Sequence, residues 1–441
     1  PLVGSVTREK KRSLIFFLLL LRLTLFCPSS SVDSVNLLFF FKTSSTPPMA
    51  EIASTSSGRG HQSPPAPIMN LADDHLFTVL LLLPVDSILS FSATCKRFRN
   101  LACSDSLWES LWRREWGPSS AESVKSSGLL LPWMVLFKRV CKLDSVSCHR
   151  ISDLDDDEEE SSSLLPLPRA SHSLNFVTDY LVLFGGGREG GRHLDDTWTA
   201  YVGETNQKTL RWKKADSVTP GGRFGHTCVV IGDSLVLFGG INDRGERLND
   251  TWIGRVGCHG KQLLWKLLTV VGAPKPPPRG AHAASCISEK TMVVQGGIGL
   301  SGCERWIQIF YDFQDLEESA SLPRVGHSAT LILGGRILIY GGEDTFRHKK
   351  DDFWALDVKT IPSKGLQVDG GAVCLNGSKA WKRLDGVSYR PKGRSFHRAC
   401  ADGSGRYVYV FGGMVDGLNL AVTSSLRFEN ELFMVELLLG L

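Results

Sequence analysis

The stretch Arg223-Phe-Gly-His226 is followed by Leu235-Val-Leu-Phe-Gly-Gly240, then by Asn249-Asp-Thr-Trp252, and finally by Trp265. The same succession occurs once before it, about fifty residues earlier in the chain. Weaker copies follow, in which an Arg and a His three residues apart precede a pair of glycines. The copies start at Arg169, Arg223, Arg279, Arg324 and Arg394. A fixed period of this length is the signature of a repeat protein, so the repeat decides the fold.

Each copy predicts four short β-strands. In the second copy, the apolar run Thr227 to Ile231 turns at Gly232-Asp233 into the run that ends at Phe238, and Trp252 and Trp265 lie in a third and a fourth strand. One such sheet cannot bury both of its faces, so the copies are predicted to pack on one another radially. The glycines, tryptophans and histidines of the repeat are interpreted as turn and packing residues.

The glycine pair and the two tryptophans at these spacings resemble the kelch motif. The resemblance covers residues 145–441 and implies a β-propeller, the fold of that family. Kelch relatives often close with six or seven blades, whereas this chain supplies five copies. We therefore predict an all-β propeller of about five blades, one of them incomplete.

Copy three breaks the pattern. In copies one, two and four a Trp lies 12 residues beyond the second glycine, but after Gly297 the next Trp is Trp306. The Gly-Gly pairs are 45 residues apart there, against 54 and 57 in the earlier copies. We interpret this as a deletion near residues 302–304, with Trp306 in a fourth strand. Copy four carries the opposite change, an inserted loop between Trp354 and Trp381.

The last copy predicts how the ring is fastened. Its end, Glu431 to Leu437, matches a third strand, and no fourth-strand Trp follows it. The alternating run Ser145 to Ile151 lies upstream of the first copy. We predict that it pairs with the C-terminal strand, because this pairing removes two exposed sheet edges.

Ahead of the repeats the sequence is helical in character. Asp73 or Asp74 is predicted to cap a first helix, Pro84 opens a second, a third runs through Cys95-Lys-Arg-Phe98, and Leu107-Trp108 lies in the last. This order of residues resembles the F-box, a small helical module that in its family docks on the Skp-type adaptor of SCF ubiquitin ligases. The alternative is a helical bundle whose leucines are all core residues.

One departure from the F-box pattern is Leu71-Ala72, where the family commonly has Leu-Pro. The loss of that proline weakens the start of the helix but removes no apolar anchor. The bundle has more apolar side chains than so few helices need, so one face is predicted to bind the adaptor. The predicted adaptor-binding residues are Leu71, Leu76, Leu80, Leu83, Pro84, Ile88, Leu89, Phe98, Leu101 and Trp108.

The remaining segments complete the predicted domain organisation. Residues 1–48 begin at Pro1, ahead of the first Met at Met49, and are interpreted as a translated leader, with a secretory signal as the rival interpretation. Residues 49–67 are predicted to be a disordered linker. The F-box is assigned to 68–116, a helical connector to 117–144 (loop 117–127, helix 129–140), and the propeller to 145–441. The acidic run 153–160 is interpreted as solvated linker.

Composition limits the possible functions. The net charge is +4 over 441 residues, too small to indicate nucleic-acid binding. The eleven cysteines include no CxxC pair, which favours reduced thiols and a cytoplasmic or nuclear protein. The apolar run near the N-terminus is too short to span a bilayer, so no membrane partner is predicted.

Catalytic motifs are not found in the sequence. It contains no GxSxG, HExxH, P-loop or dinucleotide-binding glycine pattern. Propeller enzymes remain a remote alternative, since galactose-oxidase-like proteins and nitrile-specifier kelch proteins hold copper or iron. The Glu-x3-Asp-x3-His spacing of the nitrile-specifier proteins does not occur here. We therefore predict no catalytic residue, no metal and no cofactor.

An F-box followed by kelch repeats resembles the substrate receptors of SCF ubiquitin ligases, which are especially abundant in plants. The resemblance implies binding to a Skp-type adaptor, to cullin and RING subunits through it, and to a protein substrate. The competing interpretation is a kelch scaffold outside any ligase, whose helical bundle has diverged from the F-box.

The predicted substrate site is one face of the propeller. In a four-stranded meander, the loops between strands two and three emerge on the same face as the loops between blades. The first set is rich in Arg and Lys, which suit an acidic or phosphorylated substrate. The recurring arginines of the repeat are instead interpreted as bonding within the propeller. The predicted substrate-binding residues are Arg188, Arg192, Arg244, Arg247, Arg347, Lys349 and Lys350.

Overall fold

The computed structural model describes residues 68–151, 165–203, 210–215, 218–257, 263–269, 275–288, 291–300, 302–303, 324–357, 381–417 and 426–439. The predicted leader, the linkers at 49–67 and 153–160, the copy-four loop and the strand at Trp306 lie outside these residues. The chain divides into two compact units, residues 1–111 and 112–441.

The first unit is a small helical bundle. After a 3-10 turn (Ile68–Asn70), the helices begin with α1 (Asp73–Leu80), α2 (Val85–Ser92), α3 (Lys96–Ala102) and α4 (Asp105–Trp116). Two rings from neighbouring helices, Phe91 and Phe98, stack with centroids 4.1 Å apart. The indole nitrogen of Trp108 donates a hydrogen bond of 2.8 Å to the carbonyl of Ala102, so each aromatic residue is held by a specific partner.

The start of α1 differs from the prediction. The residue before the helix is Ala72, which makes no side-chain cap, while Asp73 and Asp74 lie in the first turn. Carboxylates there still interact favourably with the helix dipole. Asp73 is held instead by Arg97, whose Nη2 lies 2.7 Å from the Asp73 carboxylate. The Asp73 side chain, which was predicted to cap the helix, therefore forms an ion pair with an arginine of a different helix.

The connector contains two helices. The predicted loop at 117–127 is wrong, because α5 (Pro118–Ser126) occupies it, and the predicted second helix is α6 (Trp133–Lys142). Proline at the first helical position favours the start of α5. The indole nitrogen of Trp112 donates a 2.9 Å hydrogen bond to Ser120 Oγ. Tertiary packing therefore stabilises a helix whose small polar residues indicated a loop.

This connector packs on the strands of the second unit. Arg139 Nη1 donates to the carbonyl of Leu439 over 2.9 Å. From the strands, the Arg336 guanidinium donates to the carbonyls of Val140 and Cys141. The end of α6 is thus bonded to the propeller, to which it leads.

The strands of copies one and two form two regular blades. One strand, β1 (Ser145–Arg150), precedes them. Blade 1 consists of β2 (Ser173–Val177), β3 (Tyr180–Phe184), β4 (Thr197–Tyr201) and β5 (Trp212–Lys214). Blade 2 consists of β6 (Thr227–Ile231), β7 (Ser234–Phe238), β8 (Thr251–Val256) and β9 (Leu263–Leu267). Each is an antiparallel meander, as the repeat predicted.

Copies three and four differ in completeness. The described part of blade 3 is the pair β10 (Ala283–Ser288) and β11 (Thr291–Gln295), with a small hairpin of β12 (Ile298–Gly299) and β13 (Gly302–Cys303). Blade 4 has four strands, β14 (Ser328–Ile332), β15 (Arg336–Tyr340), β16 (Phe353–Asp357) and β17 (Trp381–Ser388). The remaining strands expected for copy three fall outside the described residues, so whether this copy is incomplete stays a prediction.

Blade 5 is completed by a strand from the other end of the domain. Its own strands are β19 (Arg398–Ala401), β20 (Tyr407–Phe411) and β23 (Leu432–Leu437), while β18 (Arg394–Ser395), β21 (Met414–Asp416) and β22 (Leu426–Phe428) form a separate three-stranded sheet. Strand β1 pairs antiparallel with β23, with Cys148 opposite Val435, so the predicted fastening is confirmed. The parallel pairing of β1 with β17 was not predicted, and it joins blades 4 and 5 into one eight-stranded sheet.

The core lies between adjacent blades. Leu183 and Trp198 of blade 1 pack in one cluster with Tyr409 and Phe411 of blade 5, so the first copy contacts the last. The glycine pair permits this contact. Gly412 has φ +70°, and a Cβ added there would lie 2.7 Å from the carbonyl oxygen of Arg169 in blade 1, closer than real Cβ atoms come. The result is a nearly closed β-propeller.

Candidate protein-interaction surfaces

Most of the predicted adaptor-binding residues form the core of the helical unit. The side chains of Leu76, Leu80, Leu83, Ile88, Phe98 and Trp108 are buried, with exposures between 0 and 5%. This corrects the sequence interpretation, because side chains that fill the bundle's own interior do not contact a partner while the bundle is folded. Sequence reasoning failed here because an apolar residue looks the same whether it faces the core or a partner.

The exposed apolar surface of the unit is made by other leucines. Leu89 is 49% exposed, Leu82 57% and Met69 52%. Pro84 is exposed, and Leu71 and Leu101 are half-buried. Leu82 and Met69 were not among the predicted residues. Leu82 lies two positions after the last residue of α1, so it is not part of the apolar face of that helix, and this position could have indicated an exposed side chain. Leu82, Leu89 and Pro84 are called here the apolar surface of the helical unit.

In the propeller, the recurring arginines are structural. Arg169 is 0% exposed and donates to both carboxylate oxygens of Asp196, over 2.7 and 2.9 Å. The indole nitrogen of Trp198 donates to the same carboxylate over 2.7 Å. Arg169 also donates to the carbonyl of Gly185, the first glycine of the pair. The ion pair of Arg169 and Asp196 therefore connects four positions of the repeat motif: the recurring Arg, the Asp, the Trp and the first glycine.

The same arrangement occurs in other blades. Arg223 pairs with Asp250 and Arg324 with Asp352, each at two oxygens. In blade 5 the carboxylate belongs to Glu431, which Arg394 reaches over 2.5 Å. The interpretation that these arginines bond within the propeller therefore agrees with the structure.

The aspartates of these pairs have lowered pKa values and are ionised at neutral pH. Burial raises the pKa of Asp196, but the hydrogen bonds and charge of Arg169 outweigh it, so the pKa lies below its ordinary value. The same balance lowers the pKa of Asp250 and of Asp352. Ionised, bidentate pairs of this kind hold their geometry strongly.

The histidines of the repeat connect neighbouring blades. His226 Nε2 lies 3.1 Å from Ser173 Oγ of the preceding blade and packs edge-on against Phe184. Burial lowers the pKa of His226 well below its ordinary value, and the charge of Arg223 lowers it further. The ring is therefore neutral at physiological pH and serves packing rather than proton transfer.

The loops between strands two and three lie beside the loops between blades, as predicted. Residues of the two loop sets form single β-bridges, such as Ala170 with Gly187 and Val325 with Glu343. Within the loops of blades 1, 2 and 4 a further bridge, such as Gly187 with His193, closes a short hairpin. These hairpins form one face of the propeller, called here the loop face.

The basic residues predicted on the loop face differ in availability. Arg188, Arg192 and Arg244 are exposed, Arg247 is half-buried, and the Arg347 side chain is 80% exposed. The Lys349 side chain is only 3% exposed, because its Nζ lies 3.0 Å from Glu343 and 3.6 Å from Asp416. The prediction of Lys349 as a substrate contact is corrected: its charge is already neutralised within the fold.

Two more residues of the blade 4 loop matter for this face. Lys350 pairs with Asp344 over 2.7 Å, and this hydrogen bond is the main cause that lowers the pKa of Asp344 to about 2. Phe346, which sequence reasoning missed, is 79% exposed at the tip of the same loop. The exposed groups on the loop face therefore include arginines and the ring of Phe346.

One cavity in the propeller carries paired charges. It has a volume of about 520 Å³ and is lined by Arg150, Tyr389, Lys392, Glu429 and Glu431, among others. Glu431 accepts hydrogen bonds from Tyr389 and Arg394, and Glu429 lies 3.7 Å from Lys392. The described part of the chain contains no group of three or more His, Cys, Asp or Glu side chains placed to hold a metal ion. It also contains no helix that is long and apolar enough to cross a membrane.

Two domain families match the chain. The F-box domain matches residues 68–110, and the KLHDC2/KLHL20/DRC7 Kelch-repeats domain matches residues 138–313. The first match ends within one residue of the boundary of the helical unit. Fold and sequence together define a two-unit protein in which an F-box unit precedes a kelch-repeat β-propeller.

Relatives extend the match over nearly the whole chain. An F-box/kelch-repeat protein of Arabidopsis thaliana is 59% identical over 466 aligned positions, which cover 89% of this chain and 97% of the relative. The chain belongs to the F-box/kelch-repeat family. Adagio-like protein 1 of Oryza sativa subsp. japonica is 26% identical over 96% of this chain, which spans 61% of that protein's length. Human host cell factor 1 is 29% identical over 40% of this chain and 10% of its own length.

Proposed function

We propose that the chain is the substrate-recognition subunit of an SCF-type E3 ubiquitin ligase in the cytoplasm or nucleus. The observation that carries the proposal is the presence of an F-box at 68–110 and kelch repeats in one chain. In this role the chain has no catalytic residue, metal or cofactor. It contributes proximity, by raising the local concentration of substrate lysines near the conjugating enzyme.

We further propose that the apolar surface of the helical unit binds the Skp-type adaptor, and through it cullin and RING subunits. Among the described residues of the helical unit, Leu82 and Leu89 are the leucines that are about half exposed. Burying a leucine side chain at an interface stabilises the complex by roughly 1.5–3 kcal/mol. Two exposed leucines close to Pro84 therefore suit an apolar groove in a partner.

The test is capture of a purified plant Skp-type adaptor by the full chain. Leu82→Ser with Leu89→Ser should lower adaptor capture at least about tenfold, because an apolar contact is lost at each site. Circular dichroism should show the helices intact, since neither side chain is in the core. Leu130→Ser is the matched control, because Leu130 is 98% exposed but lies outside the F-box match.

The outcomes separate the two candidate functions. A wild-type chain that captures neither adaptor nor cullin would favour a kelch scaffold outside any ligase. Normal capture by the double variant, with reduced capture by Leu130→Ser, would move the adaptor site to the connector.

We also propose that the loop face binds an acidic or phosphorylated segment of the substrate. Arg188, Arg192 and Arg244 are exposed there, and so are Arg347 and Phe346 in the blade 4 loop. Guanidinium groups bind carboxylates and phosphates at two points, and the ring of Phe346 offers apolar contact beside Arg347.

A peptide array in neutral, acidic and phosphorylated forms provides the probe. Acidic or phosphorylated peptides should be retained, less so as salt rises, and Arg188→Glu with Arg244→Glu should lower their retention about tenfold or more. Lys213→Glu with Arg383→Glu is the control, because both of these exposed residues lie on outer strands. Equal retention by the two double variants would exclude the loop face as the binding surface.

A further inference from the structure

Four of the five junctions between consecutive blades repeat one set of backbone contacts. The second glycine of each pair donates its N–H to the carbonyl of the next blade's recurring arginine, for example Gly186 to Arg223 over 2.9 Å. The residue before each repeat histidine donates to its counterpart in the preceding blade, for example Gly225 to Ser171 over 3.0 Å. Both bonds also join blade 5 to blade 1, through Gly413 with Arg169 and Ser171 with Phe396.

The junction between blades 3 and 4 lacks both contacts. Among the described residues, no hydrogen bond joins Gly297 N to Arg324 O, or Gly326 N to Ala281 O. A Cβ added to Gly296 would meet nothing within 4 Å. At the equivalent glycines of the other four blades, the same Cβ would lie 2.6–3.0 Å from the next blade's arginine carbonyl. We call this junction the open seam.

The side chains on both sides of the open seam are exposed. On blade 4, Leu331 is 66% and Val325 60% exposed, and on blade 3, Val293 is 44% exposed. The residue equivalent to Leu331 in blade 1 is Phe176, which packs against the core cluster shared with blade 5. The equivalent in blade 2 is Val230, which packs on the cluster shared with blade 1. The strand position of Leu331 is therefore one that a preceding blade normally covers.

The aromatic partner of the next histidine is also missing at the seam. Phe184, Phe238, Tyr340 and Phe411 each precede a glycine pair and pack edge-on against the histidine of the following blade. In copy three this position is Gln295. Sequence and geometry thus agree that blade 3 is not packed on blade 4 in the way that the other blades are packed.

The chemistry of the seam indicates what it would bind. Blade 3 offers the N–H of Gly297 and the carbonyl of Ala281, and blade 4 offers the N–H of Gly326 and the carbonyl of Arg324. These are the groups that bond blade to blade elsewhere in the ring. The Arabidopsis thaliana relative aligns over 466 positions, more than the 441 residues of this chain, so it carries residues that this chain lacks.

We propose that the open seam is a binding surface for one additional kelch-type blade. The strand with its Arg-x-x-His motif would dock on Gly296 and Gly297, and its glycine pair would dock on the strand from Arg324 to His327. This surface is distinct from the apolar surface of the helical unit, and at Val325 it borders the loop face.

The first measurement compares two equivalent positions in the full chain. Phe176→Glu places a charge in a closed junction and should lower the thermal midpoint by several degrees. Leu331→Glu places the same charge in the open seam and should leave the midpoint unchanged. If Leu331→Glu is as destabilising as Phe176→Glu, the seam is already covered within this chain and the proposal is overturned.

The second measurement supplies the missing blade. Residues 223–278 of copy two are inserted directly before Arg324, and a Gly/Ser insert of equal length is the control. The blade insert should raise the thermal midpoint above that of the control. It should also make Leu331→Glu destabilising, because Leu331 then becomes buried. If Leu331→Glu leaves the thermal midpoint unchanged with the blade insert as well as with the Gly/Ser insert, the proposal is overturned.

Sedimentation of the unmodified chain tests a different occupant. The proposal expects a monomer in which Leu331→Glu changes nothing. A dimer that Leu331→Glu converts to monomer would show that a second copy covers the seam, which would also overturn the proposal.

Discussion

Deleting residues 145–151 should lower the thermal midpoint of the propeller by about 10 °C or more. Strand β1 pairs on both sides, with β17 and with β23. Its side chains Val146 and Cys148 are 0 and 1% exposed. Removing buried apolar side chains typically destabilises by about 2–5 kcal/mol each, and a domain of this size loses roughly 2–4 °C per kcal/mol. The deletion also creates two unpaired strand edges in the middle of an eight-stranded sheet.

Differential scanning calorimetry measures the effect. The control deletes seven residues of the acidic run, 153–159, and should leave the midpoint close to that of the intact chain. Val146→Asp offers a second route, because it leaves the backbone complete while placing a charge between buried side chains. An intact midpoint after both β1 changes would show that the fastening of blade 5 does not depend on this strand.

The second large effect is expected from Arg169→Ala. This substitution leaves the Asp196 carboxylate, whose side chain is 10% exposed, without its bidentate partner. Breaking a buried pair by removing one partner destabilises by about 3–5 kcal/mol. Denaturant unfolding followed by tryptophan fluorescence should therefore show a clearly lower midpoint. Arg188→Ala, an exposed arginine on the loop face, is the matched control and should have no effect.

A double variant distinguishes the effect of an unpaired buried charge from the effect of the lost side-chain contacts. Replacing both partners, Arg169→Leu with Asp196→Leu, removes the unpaired charge and should destabilise less than Arg169→Ala alone. A double variant at least as unstable as the single one would mean that the hydrogen bonds to Gly185 and Trp198, rather than the ion pair, carry the stability of this site.

The repeat pattern predicted the propeller well. It located the strands of copies one, two and four, because an apolar run, a glycine pair and a tryptophan each specify one local conformation. It also located the partner of β23, since a final copy without a fourth strand needs one from elsewhere. The parallel pairing of β1 with β17 has no sequence signal, because it joins two strands about 240 residues apart that belong to different copies.

Predictions about individual side chains were less successful. Leu76 and Leu89 are both leucines on predicted helices, yet one is buried and the other is 49% exposed. Lys349 lies in a basic loop, but its charge is neutralised by Glu343, six residues earlier in the same loop, and by Asp416 of β21. In each example the outcome depends on which side chains the fold brings together, and the residue type alone does not show this.

The sequence by itself therefore determined the class of protein and the number of copies. These properties follow from local conformational preferences that recur at a fixed period. Only the tertiary structure decided which leucines are exposed, which cations are free, that residues 118–126 are helical and which blade junction is open. These properties depend on burial and pairing between distant segments, and the free energy of such contacts is not encoded in any single stretch of chain.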